Sequence, residues 1–310
     1  MVAPALLSVV MPTRGRPREV VAAAASVLSQ DVDALELVIV DDSASDEDTA
    51  HALQRLVDED RRVQVVRTEG GVGPCVARNR GLEVAQGELV SFCDDDDAWL
   101  PGVGRVVLDF LSSHPDVVAA SSWHVVHHAD SGREVVFRGP LHYGSDQLLW
   151  QNFVALPFAV VRRHALSFDV TFDPALPTGE DWDLWLRCSR DGPVRTIPHV
   201  GYRYTQHGGA RVTRATDAQA TGRRNFVAKH RTEMTGACRC YHEAVLAGYA
   251  AGRGGMARAL APGKGHPAGA GAAAALFLAT SFAAARAGRR RGDPGLQARL
   301  MATLLARGRT

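Results

Sequence analysis

Residues 87–101 read Gly87-Glu-Leu-Val-Ser-Phe-Cys-Asp-Asp-Asp-Asp-Ala-Trp-Leu-Pro101. A mostly apolar run, Leu89–Cys93, ends on four consecutive carboxylates, Asp94, Asp95, Asp96 and Asp97, and Trp99-Leu-Pro101 closes the segment. Short apolar runs bounded by turn residues read as buried strands. Carboxylates crowded at the end of such a strand repel one another unless a cation sits among them. Hard divalent cations choose carboxylate oxygen, so the run points to a metal carrying a phosphorylated ligand. The bland alternative, a solvated acidic loop, fits poorly between a buried strand and a tryptophan.

Upstream, strand-like and helix-like segments alternate, which predicts an α/β domain with a mostly parallel sheet flanked by helices. Leu6–Met11 reads as the first strand, ending at Pro12-Thr13-Arg14-Gly15-Arg16, and Pro17 suits the first turn of a helix running to about Leu28. Leu35–Val40 is the second strand, ending in Asp41-Asp42. Ser45 with Asp48 three residues on resembles a capping box for a helix toward Asp60. Val63–Arg67 is a third strand, and Gly70-Gly-Val-Gly73 turns into a helix carrying Ala77-Arg-Asn-Arg-Gly81. Those glycines meet the spacing of neither a dinucleotide fingerprint nor a P-loop.

Thr13–Arg16, Asp41-Asp42 and Asp94–Asp97 all fall at the C-terminal ends of strands. Ligands of open α/β sheets bind in the crevice at those ends, so three polar clusters on one rim predict one site. Past Pro101, strands are expected at Val117–Trp123, Val135–Phe137 and Phe158–Arg162. Glu180-Asp-Trp-Asp-Leu-Trp-Leu-Arg187 reads as an amphipathic helix with Trp182 and Trp185 in the core and carboxylates in its first turn.

The chain has 310 residues, 46% of them hydrophobic, enough to bury a substantial core. Its net charge of +1 conceals an asymmetry: residues 239–310 carry ten Arg and one Lys against Glu243 and Asp293, so +9, leaving −8 for residues 1–238. We expect a catalytic domain over 1–237 and a basic, Ala/Gly/Arg-rich helical tail over 238–310. Arg286, Arg289, Arg290 and Arg291 beside an Ala-rich stretch bearing Phe277 and Phe282 suit an anionic membrane surface; a solvated tail is the competing expectation. The acidic domain and the lack of aromatics among the arginines argue against nucleic acid. Five scattered cysteines and the absence of a leader-like start point to a reducing, cytoplasmic setting, with membrane association through the tail. A zinc site from His230, Cys238, Cys240 and His242 is not expected, because Cys-x-Cys lacks the spacer of zinc knuckles.

These pieces in this order resemble the inverting GT-A glycosyltransferases of family 2, over roughly residues 6–213: Val9-Val-Met-Pro-Thr13, Val38-Ile-Val-Asp-Asp42 with Asp46, Gly73 through Ala77-Arg-Asn-Arg-Gly81, the acidic strand end, and Glu180-Asp-x-Asp-Leu-Trp-Leu-Arg187. The resemblance implies transfer of a sugar from a nucleoside-diphosphate donor to an acceptor hydroxyl, dependent on Mg²⁺ or Mn²⁺. It implies that Pro12, Thr13, Arg16, Asp41 and Arg78 line the nucleoside pocket, that Asp94 and Asp95 face ribose or donor sugar, and that Asp96 ligates the metal. The continuous run leaves a one-residue register slip open among Asp94–Asp97. Asp181 is implied as general base and His207, after Tyr202-Arg-Tyr204, as a partner of the metal or diphosphate. Ser43 stands where the family usually has Gly, and Gly71 where Asn is common. No Gln-x-x-Arg-Trp is present, so one sugar per encounter is expected. The acceptor, whether glycan, lipid-linked or small molecule, stays open. A sugar nucleotidyltransferase or a non-catalytic nucleotide-sugar or glycan-binding module would share much of this pattern; neither needs Asp181.

Overall fold

The structure, a computed structural model, describes residues 6–152, 154, 156–207 and 216–259. Its elements run β1 (Leu7–Thr13), α1 (Pro17–Leu28), β2 (Leu35–Asp41), α2 (Glu47–Glu59), β3 (Val63–Arg67), α3 (Pro74–Val84), β4 (Leu89–Phe92), β5 (Ala98–Trp99), α4 (Val103–Ser113), β6 (Ala119–His128), β7 (Arg133–Phe137), β8 (His142–Tyr143), α5 (Ser145–Leu148), β9 (Val160–Arg162), α6 (Glu180–Asp191), β10 (Val194–Gln206), α7 (Thr216–His230) and α8 (Gly236–Ala259). Two compact units emerge. The first draws on Met1–Phe137, Val154–Phe172 and Arg187–Gly208, and the second on Arg138–Phe153, Asp173–Leu186 and Gly209–Thr310.

The first unit is a sheet in the order β3-β2-β1-β4-β9-β6-β10-β5, with β7 paired to β6. Strands β1, β2, β3 and β4 are mutually parallel; β1, β2 and β4 are almost wholly buried, as strands covered on both faces are, while the edge strand β3 is partly exposed. β9 runs antiparallel between β4 and β6, and β6 and β10 are parallel to each other. Helix α1 buries Val20, Ala23, Ala24 and Val27, and α4 buries Val103, Gly104, Val107 and Leu111. Both are single apolar stripes at helical spacing.

Helix α3 lies close over β1 and β2. A Cβ at Gly81 would land inside the van der Waals envelope of Val10, with Val40 at 3.0 Å. Gly81→Ala is therefore expected to overpack the core and cost about 1–3 kcal/mol; the urea midpoint should fall at unchanged m-value.

Three sequence expectations change. Helix α2 starts one residue later than a Ser45 box requires. Asp46 is its N-cap, its carboxylate accepting from the N–H groups of Asp48 and Thr49, because Ser45 sits one position too early. The stretch Phe158–Arg162 is split: Leu156–Phe158 forms a 3₁₀ turn and only Val160–Arg162 is strand. The strand expected to end at Trp123 continues to His128, since hairpin pairing with β7 extends it.

In the second unit Trp182 packs on Phe226, ring centroids 3.9 Å apart and 20° from parallel, while Asp183, fully buried, pairs with Lys229 (2.9 Å) and is hydrogen-bonded to His230 Nε2 (2.8 Å). Helix α8 runs through the 237/238 boundary drawn from composition. The stretches singled out in the tail, Ala268–Ala285 and Arg286–Arg291, lie outside the described residues. Among the described residues no helix is long and apolar enough to cross a membrane.

Candidate active site

Strand β1 lies between β2 and β4: the chain steps outward from β1 through β2 to β3, then crosses back past β1 to β4, so the direction of winding reverses there. That is the switch point at which an open α/β sheet parts its connections and leaves a crevice. Thr13 ends β1, Asp41 ends β2, and the acidic run follows β4, so the three polar clusters share one edge.

The four aspartates differ in their partners, except that Asp95 and Asp96 share Arg16. Asp94 Oδ1 accepts from Arg78 Nη2 at 2.7 Å. Asp95 is held on both oxygens, by Thr13 Oγ1 at 2.8 Å and by Arg16 Nη1 at 2.9 Å. The same Arg16 nitrogen lies 3.2 Å from Asp96 Oδ2, which is also 3.9 Å from His207 Nε2. Asp97 accepts from the Thr205 N–H at 2.9 Å. Burial alternates along the run: Asp95 and Asp97 are buried and Asp94 and Asp96 half-buried, the side chains of Asp94, Asp95 and Asp96 keeping 31%, 8% and 13% of their surface. A turn with Asp97 N–H bonded to the Asp94 carbonyl (3.1 Å) produces this alternation.

Burial pushes the Asp95 carboxyl up to about 6, with Arg16 and Thr13 pulling against it and Asp96 and Asp94 adding to the rise. The Cys93 thiol is raised well above its usual value by burial and by the four carboxylates behind it. It is no nucleophile. All five cysteines are buried, none in a disulfide.

Arg78 is nearly buried, and its position is built rather than incidental. Its guanidinium lies over the Phe172 ring, 5.4 Å from the centroid. Phe172 is fixed in turn by Asn79, whose amide donates to the Phe172 carbonyl and accepts from its N–H, both at 2.8 Å, and by an edge-to-face contact with Phe92 at 5.0 Å. The sequence assigns Asn79 no role of its own. It sits inside Ala77-Arg-Asn-Arg-Gly81, yet a lone amide beside an arginine announces no partner 93 residues away.

The two aspartates after β2 separate in role. Asp41 is buried, accepts from the Ser43 N–H at 3.0 Å, and lies 3.7 Å from Arg67 Nε. Asp42 builds the loop before α3, accepting from Thr68 Oγ1 and from the N–H groups of Val72 (3.0 Å) and Gly73 (3.2 Å). Burial pushes the Asp42 carboxyl up, and these donors outweigh it to hold the group below its usual range. The loop needs its glycines: Gly70 has φ +88°, and a Cβ there would strike Ala44. Pro12 is half-buried in β1, in register with Val40.

Asp181 belongs to the second unit. Its Oδ2 accepts from Asn152 Nδ2 at 2.8 Å and its Oδ1 from the Trp182 N–H at 2.7 Å. Nearby, His230 bonds Asp183, and Cys238 Sγ and His242 Nε2 bond the Leu149 carbonyl at 3.4 and 2.8 Å.

Among the described residues no three His, Cys, Asp or Glu side chains form a metal cage of their own. The donors present fit a different mode, that of Mg²⁺ held by one or two carboxylates with substrate phosphates completing the shell. Asp96, partly exposed between Arg16 and His207, supplies such a hard oxygen.

Comparison with known proteins agrees with this architecture. A family model described as glycosyl transferase family 2 matches residues 8–167. An Escherichia coli K12 protein carrying the name colanic acid biosynthesis glycosyl transferase WcaA is 27% identical over 248 residues, spanning 76% of this chain and 85% of its own length. The E. coli UDP-Glc:alpha-D-GlcNAc-diphosphoundecaprenol beta-1,3-glucosyltransferase WfgD is 24% identical over 62% of this chain and 73% of its own. Among solved structures, the Pyrobaculum calidifontis mannosyltransferase PcManGT in complex with GDP-Man and Mn²⁺ superposes with TM-score 0.62 at 20% identity, over 99% of this chain and 88% of its own. S. aureus TarS 1–349 in complex with UDP-GlcNAc gives 0.59 at 16% identity, over 94% and 90%. The fold is thus GT-A, and the chain belongs to glycosyl transferase family 2 as a glycosyltransferase.

Proposed function

We propose that the protein transfers one sugar from a nucleoside-diphosphate donor to an acceptor hydroxyl with inversion at the anomeric carbon, dependent on Mg²⁺ or Mn²⁺. The observation that carries this reading is the alternation at the end of β4. Asp94 and Asp96 keep exposed surface while Asp95 and Asp97 are buried in the scaffold, which favours the Asp94-x-Asp96 register for ligand contact.

In this reading Pro12, Thr13, Asp41 and Arg78 line the nucleoside side of the crevice. Asp94 faces ribose or donor sugar, positioned by Arg78, and Asp96 is the carboxylate for the metal, with His207 beside it. Arg16 spans Asp95 and Asp96, so the buried Asp95 serves the donor site by holding that guanidinium. When bound, the cation offsets charge that builds on the departing diphosphate, an effect of several kcal/mol. Asp181 takes the proton of the acceptor hydroxyl as its oxygen bonds to the anomeric carbon and the bond to the diphosphate breaks. One displacement inverts the centre.

The names of two relatives favour a lipid-linked acceptor. WfgD is named for a diphosphoundecaprenol acceptor, and a Campylobacter jejuni beta-1,3-glucosyltransferase, 39% identical over 31% of this chain, for a PP-undecaprenol one. A tail of net charge +9 over residues 239–310 suits the anionic membrane surface where such acceptors reside.

Melting curves with UDP, GDP, CDP or dTDP, each with and without MnCl₂, test the donor site. The matching nucleotide at 100 times its dissociation constant should stabilise the fold by about 2.7 kcal/mol, mostly in the presence of Mn²⁺. Asp96→Asn should remove the Mn²⁺-dependent part. Indifference of the wild-type protein to all four nucleotides in either condition would overturn the reading.

A further inference from the structure

We infer that Asn152 is a positioning residue for Asp181, locked in place by helix α8; the proposal rests on the reading of Asp181 as general base. Two donors bracket the carboxylate, one on each oxygen: Asn152 Nδ2 at 2.8 Å on Oδ2 and the Trp182 N–H at 2.7 Å on Oδ1. Together they fix the plane of the group, and with it the direction of the lone pairs that receive a proton. The amide has only one sensible orientation, since an ionised carboxylate accepts and cannot donate. An amide is also the right donor chemically. A lysine or arginine in its place would stabilise the charged form by full ion pairing and strip the base of its basicity. A neutral N–H orients with less loss.

Asn152 is delivered by a segment that is itself tied down. The Leu148 carbonyl, at the end of α5, accepts from the indole N–H of Trp182. The next carbonyl, Leu149, accepts from His242 Nε2 (2.8 Å) and Cys238 Sγ (3.4 Å) on α8. The tryptophan that anchors α5 is thus the residue whose backbone N–H holds Asp181. Its ring is immobilised against Phe226 and beneath the Arg223 guanidinium, 5.2 Å from the ring centroid. Arg223 also donates to His242 Nδ1 at 2.9 Å, which leaves the imidazole proton on Nε2 for the Leu149 carbonyl. From Leu149 to Asn152 is a step of three residues, so clamping one fixes the reach of the other. Helix α8 lies beyond the stretch 8–167 matched by the family model, and this clamp gives it a task.

A residue that merely caps α6 would affect stability alone. A positioning residue also changes how Asp181 titrates and turns over. The groups to be considered around Asp181 are Glu180 and Asp183 on α6, Lys229, His230 and Arg223 on α7, Asp146 on α5 and His242 on α8. The full chain carrying Asn152→Ala or Asn152→His should be followed by carbon-13 NMR of the Asp181 carboxyl, assigned with Asp181→Asn. Removing the donor should move the Asp181 titration upward by about one unit, and histidine, whose Nδ1 can occupy the place of the amide nitrogen, should restore most of it. With the sugar nucleotide that the protein consumes, N152A should lower kcat on the order of tenfold or more at unchanged KM for the donor, and N152H should recover the loss. An Asp181 titration unmoved in folded N152A, or a kcat loss that N152H leaves untouched, overturns the Asn152 proposal alone. Full turnover by D181N would instead sink the reading of Asp181 as base, and this inference with it.

Discussion

Replacing Asp181 by Asn should reduce turnover by ~10²–10⁴-fold, the usual contribution of a positioned general base, and leave nucleotide binding intact. The substitution is conservative in shape. Its oxygen can keep one of the two donors now on the carboxylate, and Asn152 can rotate its amide to accept from the new NH₂ group, so α6 should hold. An amide cannot take a proton from an attacking hydroxyl. The decisive comparison pairs release of nucleoside diphosphate from a sugar nucleotide with the thermal shift given by that nucleotide and Mn²⁺. Lost turnover at full thermal shift supports the displacement mechanism. Turnover within about threefold of wild type would assign the proton to another group. A non-catalytic nucleotide-sugar module would have no turnover to lose.

The second large effect is acid lability. His242 is pushed down to about 3, first by burial and further by Arg223, with the bond to Leu149 pulling weakly the other way. Burial pushes His124 down to about 4, between Phe137 at 4.9 Å and Tyr202 at 4.8 Å. Both stay neutral in the fold but take up a proton near 6.5 once unfolded. A histidine whose folded pKa is depressed favours the fold above about 6.5 and loses that advantage as pH falls toward the folded value. Each should therefore destabilise the protein by about 2 kcal/mol between pH 7.5 and pH 5. Denaturant midpoints of wild type, His242→Gln and His124→Phe at the two pH values test this. Glutamine preserves a donor for the Leu149 carbonyl and phenylalanine preserves the ring stack. Each variant should show an acid-induced loss smaller than that of wild type by about 2 kcal/mol. Equal losses in all three would mean that these rings protonate without unfolding.

The sequence yielded the parallel half of the sheet readily, because its strands are short, apolar and punctuated by Pro, Gly or Asp at their ends. Val63–Arg67 and Pro17–Leu28 came out with the observed limits. The strand expected at Phe158–Arg162 is present as β9 but only over Val160–Arg162, since Phe158 lends its bulk to a strand-like pattern while the backbone makes a 3₁₀ turn. Around the crevice, residues that announce themselves by charge in series, Asp94–Asp97 and Asp41-Asp42, were legible. Those that act through one hydrogen bond were not. Asn79, Asn152 and Thr205 have neither periodicity nor clustering, and their meaning depends on which distant backbone arrives beside them. Register within the acidic run was equally hidden, because a turn, and no feature of four identical residues, decides which carboxylates are buried.

The bidentate clasp of Asn79 on Phe172 has a temporal side. During synthesis from the N-terminus, helix α3 leaves the ribosome with Arg78 still lacking its aromatic bed, because Phe172 follows Asn79 by 93 residues. At about 5–20 residues per second this is an interval of roughly 5–20 seconds. For that time a nascent chain presents an arginine and a cluster of aspartates without the ring that sets the guanidinium's position. A ribosome stalled before Phe172 would hold a polypeptide whose early strands can pair while its crevice stays unfinished.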